Sequence, residues 1–231
     1  MKVSHSRTEM NTSVMKTYTI LYIHGMGGGE DSRIPSILNQ HINGRVNAGD
    51  IRIEIVVRTY DIDPDIAFGQ IEAWREELAP QLVIGESLGS IHAARLDGIP
   101  HIFVSPAIGA ARWMAAASYI PGAAWLMRKL FKPRPGNRQP LDFTHRILCH
   151  YRGVRSSVLR HSPSCGSRDR FFAFFGTADT YRRWGVVSVR NWACHFGAES
   201  YTIYAGTHYM EEAYLHTMLI PKILEYLGLP S

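Results

Sequence analysis

The chain has 231 residues, 45% of them apolar and 19% charged, and a formal net charge of +5. This length and balance are those of a globular protein with one domain and a substantial core. Its three cysteines, Cys149, Cys165 and Cys194, are widely spaced and form no CxxC pair. We therefore expect reduced thiols in a cytoplasmic protein, and cysteine usage excludes a disulfide framework.

We expect neither a secretory signal nor a transmembrane segment. Residues 1–13 are polar and lack the apolar centre of a signal peptide. They predict a disordered tail over residues 1–15, and they leave open whether Met1 or Met15 is the true start. The longest uncharged apolar stretch, residues 113–127, is interrupted by Pro121 and Gly122 and is too short to cross a bilayer.

Six apolar runs rich in β-branched and aromatic residues predict strands. They lie near residues 17–23, 51–59, 81–85, 100–105, 171–175 and 200–204. Periodic patterns between them predict helices over residues 32–42, 64–78, 87–96 and 209–227. This alternation predicts an α/β protein with a mostly parallel sheet of about six strands and helices on both faces. Functional groups then belong at the carboxyl ends of the strands.

Residues 106–170 depart from the alternation. Two helices rich in Ala, Trp and Met are predicted on either side of residues 121–122, and a third near residues 141–159. The basic charge is concentrated here, because residues 111–170 contain twelve Lys or Arg and two Asp, a net charge of +10. A solvated basic face, attraction of an anionic substrate and attraction of an acidic membrane surface remain open. Since the charge is confined to one segment, we do not expect nucleic-acid binding.

A short glycine-flanked motif contains the candidate nucleophile. Residues 85–89 read Gly-Glu-Ser-Leu-Gly, directly after the apolar residues 81–84. The glycines allow a tight strand-to-helix turn that exposes the hydroxyl of Ser87 at the end of a sheet. Such a hydroxyl becomes a nucleophile when a neighbouring base accepts its proton. The motif predicts that Ser87 is the nucleophile of a serine hydrolase.

Loops after three other predicted strands supply an acid, a base and a glycine turn. They are His24-Gly25-Met26 after the first strand, Gly176-Thr177-Ala178-Asp179 after the fifth and Gly206-Thr207-His208 after the last. With Ser, Asp and His in this chain order, the sequence resembles the α/β-hydrolase superfamily, especially its small esterase-type members, from about residue 16 to residue 229.

The resemblance implies a role for each of these groups. Asp179 would orient His208, and His208 would act as general base toward Ser87. The backbone N–H groups of Met26 and Leu88 would form the oxyanion hole, with Gly27 as an alternative to Met26. It also implies one domain over residues 16–231, with residues 106–170 as a helical cap insertion.

Several assignments have alternatives. Asp179 could serve as the N-cap of a helix that starts near Thr180, and it could do both. The rival carboxylates Asp61, Asp63 and Asp65 precede the serine, contrary to the order in the superfamily. His24 is expected to support the oxyanion loop, and His92 and His101 to lie in the core or at the surface. The aromatic and Met residues of the cap, Trp113, Met114, Tyr119, Trp125 and Met127, either line an acyl pocket or pack the cap on the core.

No cofactor or metal is expected. The glycine run at residues 25–29 matches neither phosphate-binding fingerprint, and no His, Cys or Asp cluster has the spacing of metal ligands. The predicted activity is cleavage of a carboxylic ester or related acyl bond in a small-molecule substrate. Thioester, amide or C–C hydrolysis, and a non-catalytic binding role on a hydrolase scaffold, stay open, as does the oligomeric state.

Overall fold

The computed structural model describes residues 15–46, 51–132, 134–160 and 171–230. Its strands are β1 (Lys16–Ile23), β2 (Ile51–Val57), β3 (Leu82–Glu86), β4 (His101–Val104), β5 (Phe171–Gly176) and β6 (Tyr201–Tyr204). Each corresponds to one of the six apolar runs. The tail predicted over residues 1–15 lies, except for Met15, outside the described residues, as does Cys165.

The strands form one sheet in the order β2-β1-β3-β4-β5-β6. All five neighbouring pairs are parallel, and β3 lies between β1 and β4. Because parallel strands all end at the same edge, the loops that follow β1, β3, β5 and β6 converge there. The prediction of an α/β fold with a parallel six-stranded sheet is confirmed.

The described part of the chain contains nine α-helices, of which seven lie between strands and two follow β6. They are α1 (Arg33–His41), α2 (Pro64–Leu78), α3 (Gly89–Ala93), α4 (Ala110–Ala117), α5 (Ala123–Leu130), α6 (His145–Arg160), α7 (Val189–Phe196), α8 (Glu212–Tyr214) and α9 (Ile220–Leu227). A π-helical turn, Leu215–Leu219, joins α8 to α9. The sequence pattern predicts one helix over residues 209–227. In the structure it begins at Glu212, and its hydrogen bonding changes just before Pro221, which has no N–H to donate.

The side chains of the central strands alternate between two cores. Ile20 and Tyr22 of β1 pack with α1 and α9 on one face of the sheet, whereas Leu21 and Ile23 pack with α2, α4, α6 and α7 on the other. All four side chains are at most 1% exposed. This alternation is the period of a β-strand that is buried on both faces, which is typical of parallel sheets.

The helices between β4 and β5 differ in how they are packed. Helix α4 buries Ala111, Met114 and Ala115, whereas α5 contains no buried residue. Met114 and Met127 pack against the core, but Trp113, Tyr119 and Trp125 are 46–71% exposed. The two methionines therefore pack the helices on the core, whereas the three aromatic side chains are largely exposed.

Two of the three cysteines lie among the described residues. Cys149 and Cys194 are free thiols. Within the described ranges, no helix has the length and apolar composition required to cross a bilayer.

Candidate active site

The chain turns sharply at Ser87, between β3 and α3. Ser87 has φ +48°, a left-handed conformation that a non-glycine residue rarely adopts. A side chain at Gly85 would lie 2.8 Å from the Cβ of Ala93, and one at Gly89 would collide with the carbonyl oxygen of Ile23. The two glycines of the motif therefore allow strand, turn and helix to pack tightly while the serine projects from the turn.

Hydrogen bonds on both sides fix the backbone of Ser87. Its N–H donates to the carbonyl oxygen of Val104 at 2.9 Å, and its carbonyl oxygen accepts from the N–H of Ala107 at 3.0 Å. These two hydrogen bonds tie the turn to the end of β4 and to the segment after it, and they help to hold Ser87 in its unfavourable left-handed conformation.

Three side chains from separate loops meet at the carboxyl edge of the sheet. His208 Nε2 lies 2.8 Å from Ser87 Oγ, and His208 Nδ1 lies 2.7 Å from Asp179 Oδ2. Asp179 and His208 are 4% and 7% exposed, respectively. The structure therefore brings together the three residues that the sequence singled out, with His208 hydrogen-bonded between Ser87 and Asp179.

Asp179 has a second task in the same loop. Its Oδ1 accepts a hydrogen bond of 2.9 Å from the N–H of Tyr181 and caps the 3₁₀ helix Thr180–Trp184. The ring centroid of Tyr181 is 4.6 Å from that of His208, and burial raises the pKa of this tyrosine. The capping role and the contact with His208 coexist, because each uses a different carboxylate oxygen.

Buried polar contacts hold the loop after β1 beside the serine. A side chain at Gly25 would lie 3.1 Å from the Cβ of Ser87, so glycine permits this close approach. His24 Nδ1 donates to the carbonyl oxygen of Gly25 at 2.8 Å, and the hydroxyl of Tyr60 donates to the carbonyl oxygen of His24. Burial lowers the pKa of His24 to about 4, so its ring is neutral at pH 7. His24 supports this loop, and it does not reach the hydroxyl of Ser87.

The backbone donors of the loops differ in availability. The N–H of Gly27 donates to Gln139 Oε1 at 2.9 Å. Among the described residues, the N–H groups of Met26 and Leu88 have no acceptor. Gly27 is therefore occupied, whereas the two donors named first from the sequence are available for a ligand.

Gln139 is a structural residue of the site that sequence analysis did not identify. Its side chain is fully buried, and its Nε2 donates to the carbonyl oxygen of Asp61 at 3.2 Å. The neighbouring Arg138 makes an ion pair of 2.8 Å with Asp31. No sequence signal marks a contact between residues 112 positions apart, such as Gln139 and Gly27.

The residue before the serine is a carboxylic acid in a buried environment. Glu86 accepts a hydrogen bond of 2.8 Å from the hydroxyl of Tyr22. Desolvation raises the pKa of Glu86, and the hydrogen bond from Tyr22 opposes that effect. Sequence analysis assigned no role to this carboxyl.

A second pairing of histidine and aspartate lies away from Ser87. His150 Nδ1 is 2.8 Å from Asp63 Oδ1 and 3.3 Å from Asp65 Oδ2, and it links α6 to the start of α2. These three residues, and separately His41, Glu212 and His216, are close enough to hold a metal ion. The expected absence of a metal therefore stays a prediction. The rival carboxylate Asp63 is thus paired with His150 and not with His208.

A cavity of about 210 Å³ lies between the segment after β4 and α7. Its lining includes Pro106, Ile108, Arg112, Asn191, Trp192 and His195. Ser87, Asp179 and His208 are not among its lining residues. Pro106 immediately precedes Ala107, whose N–H donates to the carbonyl oxygen of Ser87.

Known proteins resemble this chain in structure. No family model and no curated protein matches the sequence. A carboxylesterase of the thaumarchaeon Nitrososphaera gargenis is similar with a TM-score of 0.52 and 12% identity, over 94% of this chain and 93% of that one.

Two other solved structures show the same similarity. A presumed hydrolase from Agrobacterium vitis S4 has a TM-score of 0.56 and 10% identity, over 93% of this chain and 90% of that one. A thioesterase domain from the curacin biosynthetic pathway has a TM-score of 0.50 and 14% identity, over 94% and 93%. At such identities the similarity concerns the fold, and together with the parallel sheet it shows that this chain has the fold of the α/β-hydrolase superfamily.

Proposed function

We propose that the protein is a serine hydrolase that cleaves a carboxylic ester or a related acyl bond. The observation that carries the proposal is the chain of contacts from Ser87 Oγ to His208 Nε2, 2.8 Å, and from His208 Nδ1 to Asp179 Oδ2, 2.7 Å. A hydroxyl in this arrangement has a base within reach, and the base is held in one orientation by a buried carboxylate.

The reaction proceeds in two acyl-transfer steps. Ser87 Oγ attacks the carbonyl carbon of the substrate while His208 Nε2 accepts the hydroxyl proton, and the same nitrogen then protonates the leaving group. Water, activated by His208, attacks the acyl-Ser87 intermediate and releases the acid. Asp179 accepts the Nδ1 proton in a hydrogen bond throughout and stabilises the imidazolium form of His208.

The oxyanion that forms in each step requires two donors. We assign them to the backbone N–H groups of Met26 and Leu88, which are free of other acceptors among the described residues. Losing one such donor typically costs about 3 kcal/mol of transition-state stabilisation. No cofactor takes part in this chemistry.

We propose one domain over residues 16–231, in which residues 106–170 form a helical cap insertion. Two contacts support this placement. Gln139, after α5, bonds to the loop that contains Met26, and Trp113 of α4 donates to the carbonyl oxygen of Trp184 at 2.8 Å. The helices are therefore attached to both the oxyanion loop and the loop that carries Asp179.

A fluorophosphonate probe tests the proposal directly. We expect an adduct on Ser87, located by peptide mass spectrometry, and its loss in the Ser87→Ala and His208→Ala variants. The matched control is His150→Ala, because His150 belongs to the other pairing of histidine and aspartate in the described chain. Labelling that survives His208→Ala, or fails equally in the control, would exclude the proposed base.

Substrate class requires a separate measurement. Aryl esters of short and long acyl chains, acyl thioesters and acyl amides compared by kcat/KM would rank the bonds that the enzyme cleaves. We expect the highest kcat/KM for the esters. Absence of turnover on every member, in protein whose Ser87 is also unlabelled, would favour a binding role instead.

A further inference from the structure

Helix α5 and its flanks form an exposed surface that is both apolar and basic. We define the α5 surface by Tyr119, Ile120, Trp125, Leu126 and Leu130, which are 50–71% exposed. Helix α5 itself has no buried residue, so its outer side chains do not contribute to the described core. Soluble proteins rarely expose so many large apolar side chains on neighbouring turns unless the patch binds something.

Cations adjoin these apolar side chains. Arg128, Lys129, Lys132 and Arg134 follow or interleave with them, and all four are exposed. Within the described part of the chain none of the four makes an ion pair. The sequence has no Asp or Glu between residues 98 and 141, so no acidic side chain of this segment offsets the charge.

Aromatic and aliphatic side chains combined with lysine and arginine on a short amphipathic helix are typical of segments that lie in a membrane interface. Trp125 and Tyr119 have the ring type that prefers the headgroup region. Lys129 lies 5.7 Å from the ring centroid of Trp125, so cation and ring are presented together. A protein partner with a large apolar face would match the apolar side chains, but it would leave the uncompensated cations at the edge.

The α5 surface is attached to the candidate active site at both ends. Before it, Trp113 of α4 is hydrogen-bonded to Trp184, at the end of the 3₁₀ helix that Asp179 caps. After it, Gln139 is hydrogen-bonded to Gly27, in the loop that follows β1. The surface therefore extends from the same edge of the sheet as Ser87.

We propose that the α5 surface docks the protein onto an anionic phospholipid bilayer, with Trp125, Leu126 and Leu130 inserted at the interface and the cations on the headgroups. Docking does not depend on the proposed hydrolytic function. It can therefore be measured with the Ser87→Ala variant, which leaves the vesicles unmodified.

Vesicle flotation with the full chain tests the docking. We expect Ser87→Ala protein to float with phosphatidylcholine–phosphatidylserine vesicles, to bind pure phosphatidylcholine more weakly, and to dissociate as salt is raised. Charge reversal by Arg128→Glu/Lys129→Glu should weaken partitioning by at least about 25-fold, since each lost cation contributes roughly fivefold. Leu126→Ser/Leu130→Ser should weaken it by about tenfold or more.

Matched variants separate the surface from the overall charge of the protein. Arg45→Glu/Arg52→Glu makes the same change in net charge near the amino ends of β1 and β2, on exposed side chains. Ile66→Ser removes an apolar side chain of 47% exposure from α2. Both controls should retain vesicle binding, and circular dichroism verifies that all variants are folded.

Three results would overturn the proposal. Equal losses in the control pair and the α5 pair would indicate attraction by net charge alone. No vesicle binding by folded Ser87→Ala protein would exclude a membrane partner. Self-association of the wild type that Leu126→Ser/Leu130→Ser abolishes, without vesicle binding, would identify the α5 surface as a contact between two copies.

Discussion

Replacing Gln139 by methionine tests whether one buried side chain maintains the loop that follows β1. Methionine keeps the length of the side chain but removes the acceptor for Gly27 N–H, 2.9 Å, and the donor to the carbonyl oxygen of Asp61, 3.2 Å. A buried polar group left without its partner costs about 1–3 kcal/mol. Since both backbone groups are part-buried and the second bond is long, we expect a loss of about 2–3 kcal/mol in the free energy of unfolding.

Turnover should fall in the same variant. Gly27 follows Met26 directly, so a loose Gly27 lets the proposed oxyanion donor move. A displacement of about 1 Å at a reacting centre can cost about a hundredfold in rate. We expect kcat on a short-chain aryl ester to decrease by about 10- to 100-fold with a smaller change in KM.

Gln81 provides the matched control. Its Oε1 accepts from the N–H of Thr19 at 2.7 Å and its Nε2 donates to the carbonyl oxygen of Ala79 at 2.8 Å, both at the exposed amino end of β3. Gln81→Met should lose less than about 1 kcal/mol in urea unfolding and retain full turnover. If Gln139→Met matched the wild type in both measurements, the claim that this side chain positions the loop would be refuted.

Two other changes give distinct outcomes. Asp179→Asn should lower kcat by about three to four orders of magnitude, because the amide favours the wrong tautomer of His208, whereas Asp63→Asn should leave the rate unchanged. A wild-type rate in Asp179→Asn would assign the orienting role elsewhere. Burial lowers the pKa of His92 from 6.5 to about 3. Below pH 6.5 the unfolded chain therefore binds a proton at this ring that the folded protein does not, and the free energy of unfolding decreases progressively as the pH falls toward 3. At pH 5 the loss is about 2 kcal/mol relative to pH 7.5, and His92→Leu should reduce the pH dependence of urea unfolding by that amount; an unaltered dependence would contradict the shift.

The strands and the nucleophile turn could be predicted because they depend on local patterns. A strand buried on both faces reads as an apolar run, and the turn at Ser87 requires glycine at positions 85 and 89. The loops with Asp179 and His208 were predictable because parallel strands bring their carboxyl ends to one edge. The resemblance to the α/β-hydrolase superfamily, whose acid and base follow the serine in this order, then indicated which side chains would meet.

Other features depend on contacts that the sequence does not encode locally. Helix α7 (Val189–Phe196) has only eight residues, and its start depends on a Ser188 side chain that accepts from the N–H of Asn191. The pairing of His150 with Asp63 joins residues 87 positions apart. The occupied N–H of Gly27 likewise required knowledge of where Gln139 lies, and only this contact separates Gly27 from Met26 as an oxyanion donor.

The hydrogen bonds on either side of Ser87 also bear on how the protein tolerates variation. The serine backbone is hydrogen-bonded to Val104, the last residue of β4, and to Ala107, which lies between β4 and α4, and not to residues of α4, α5 or α6. Substitutions of exposed side chains on those helices therefore leave in place the two hydrogen bonds that fix the backbone of Ser87. The exposed surface of the helices between β4 and β5 can therefore vary among related sequences while the backbone conformation of Ser87 stays the same.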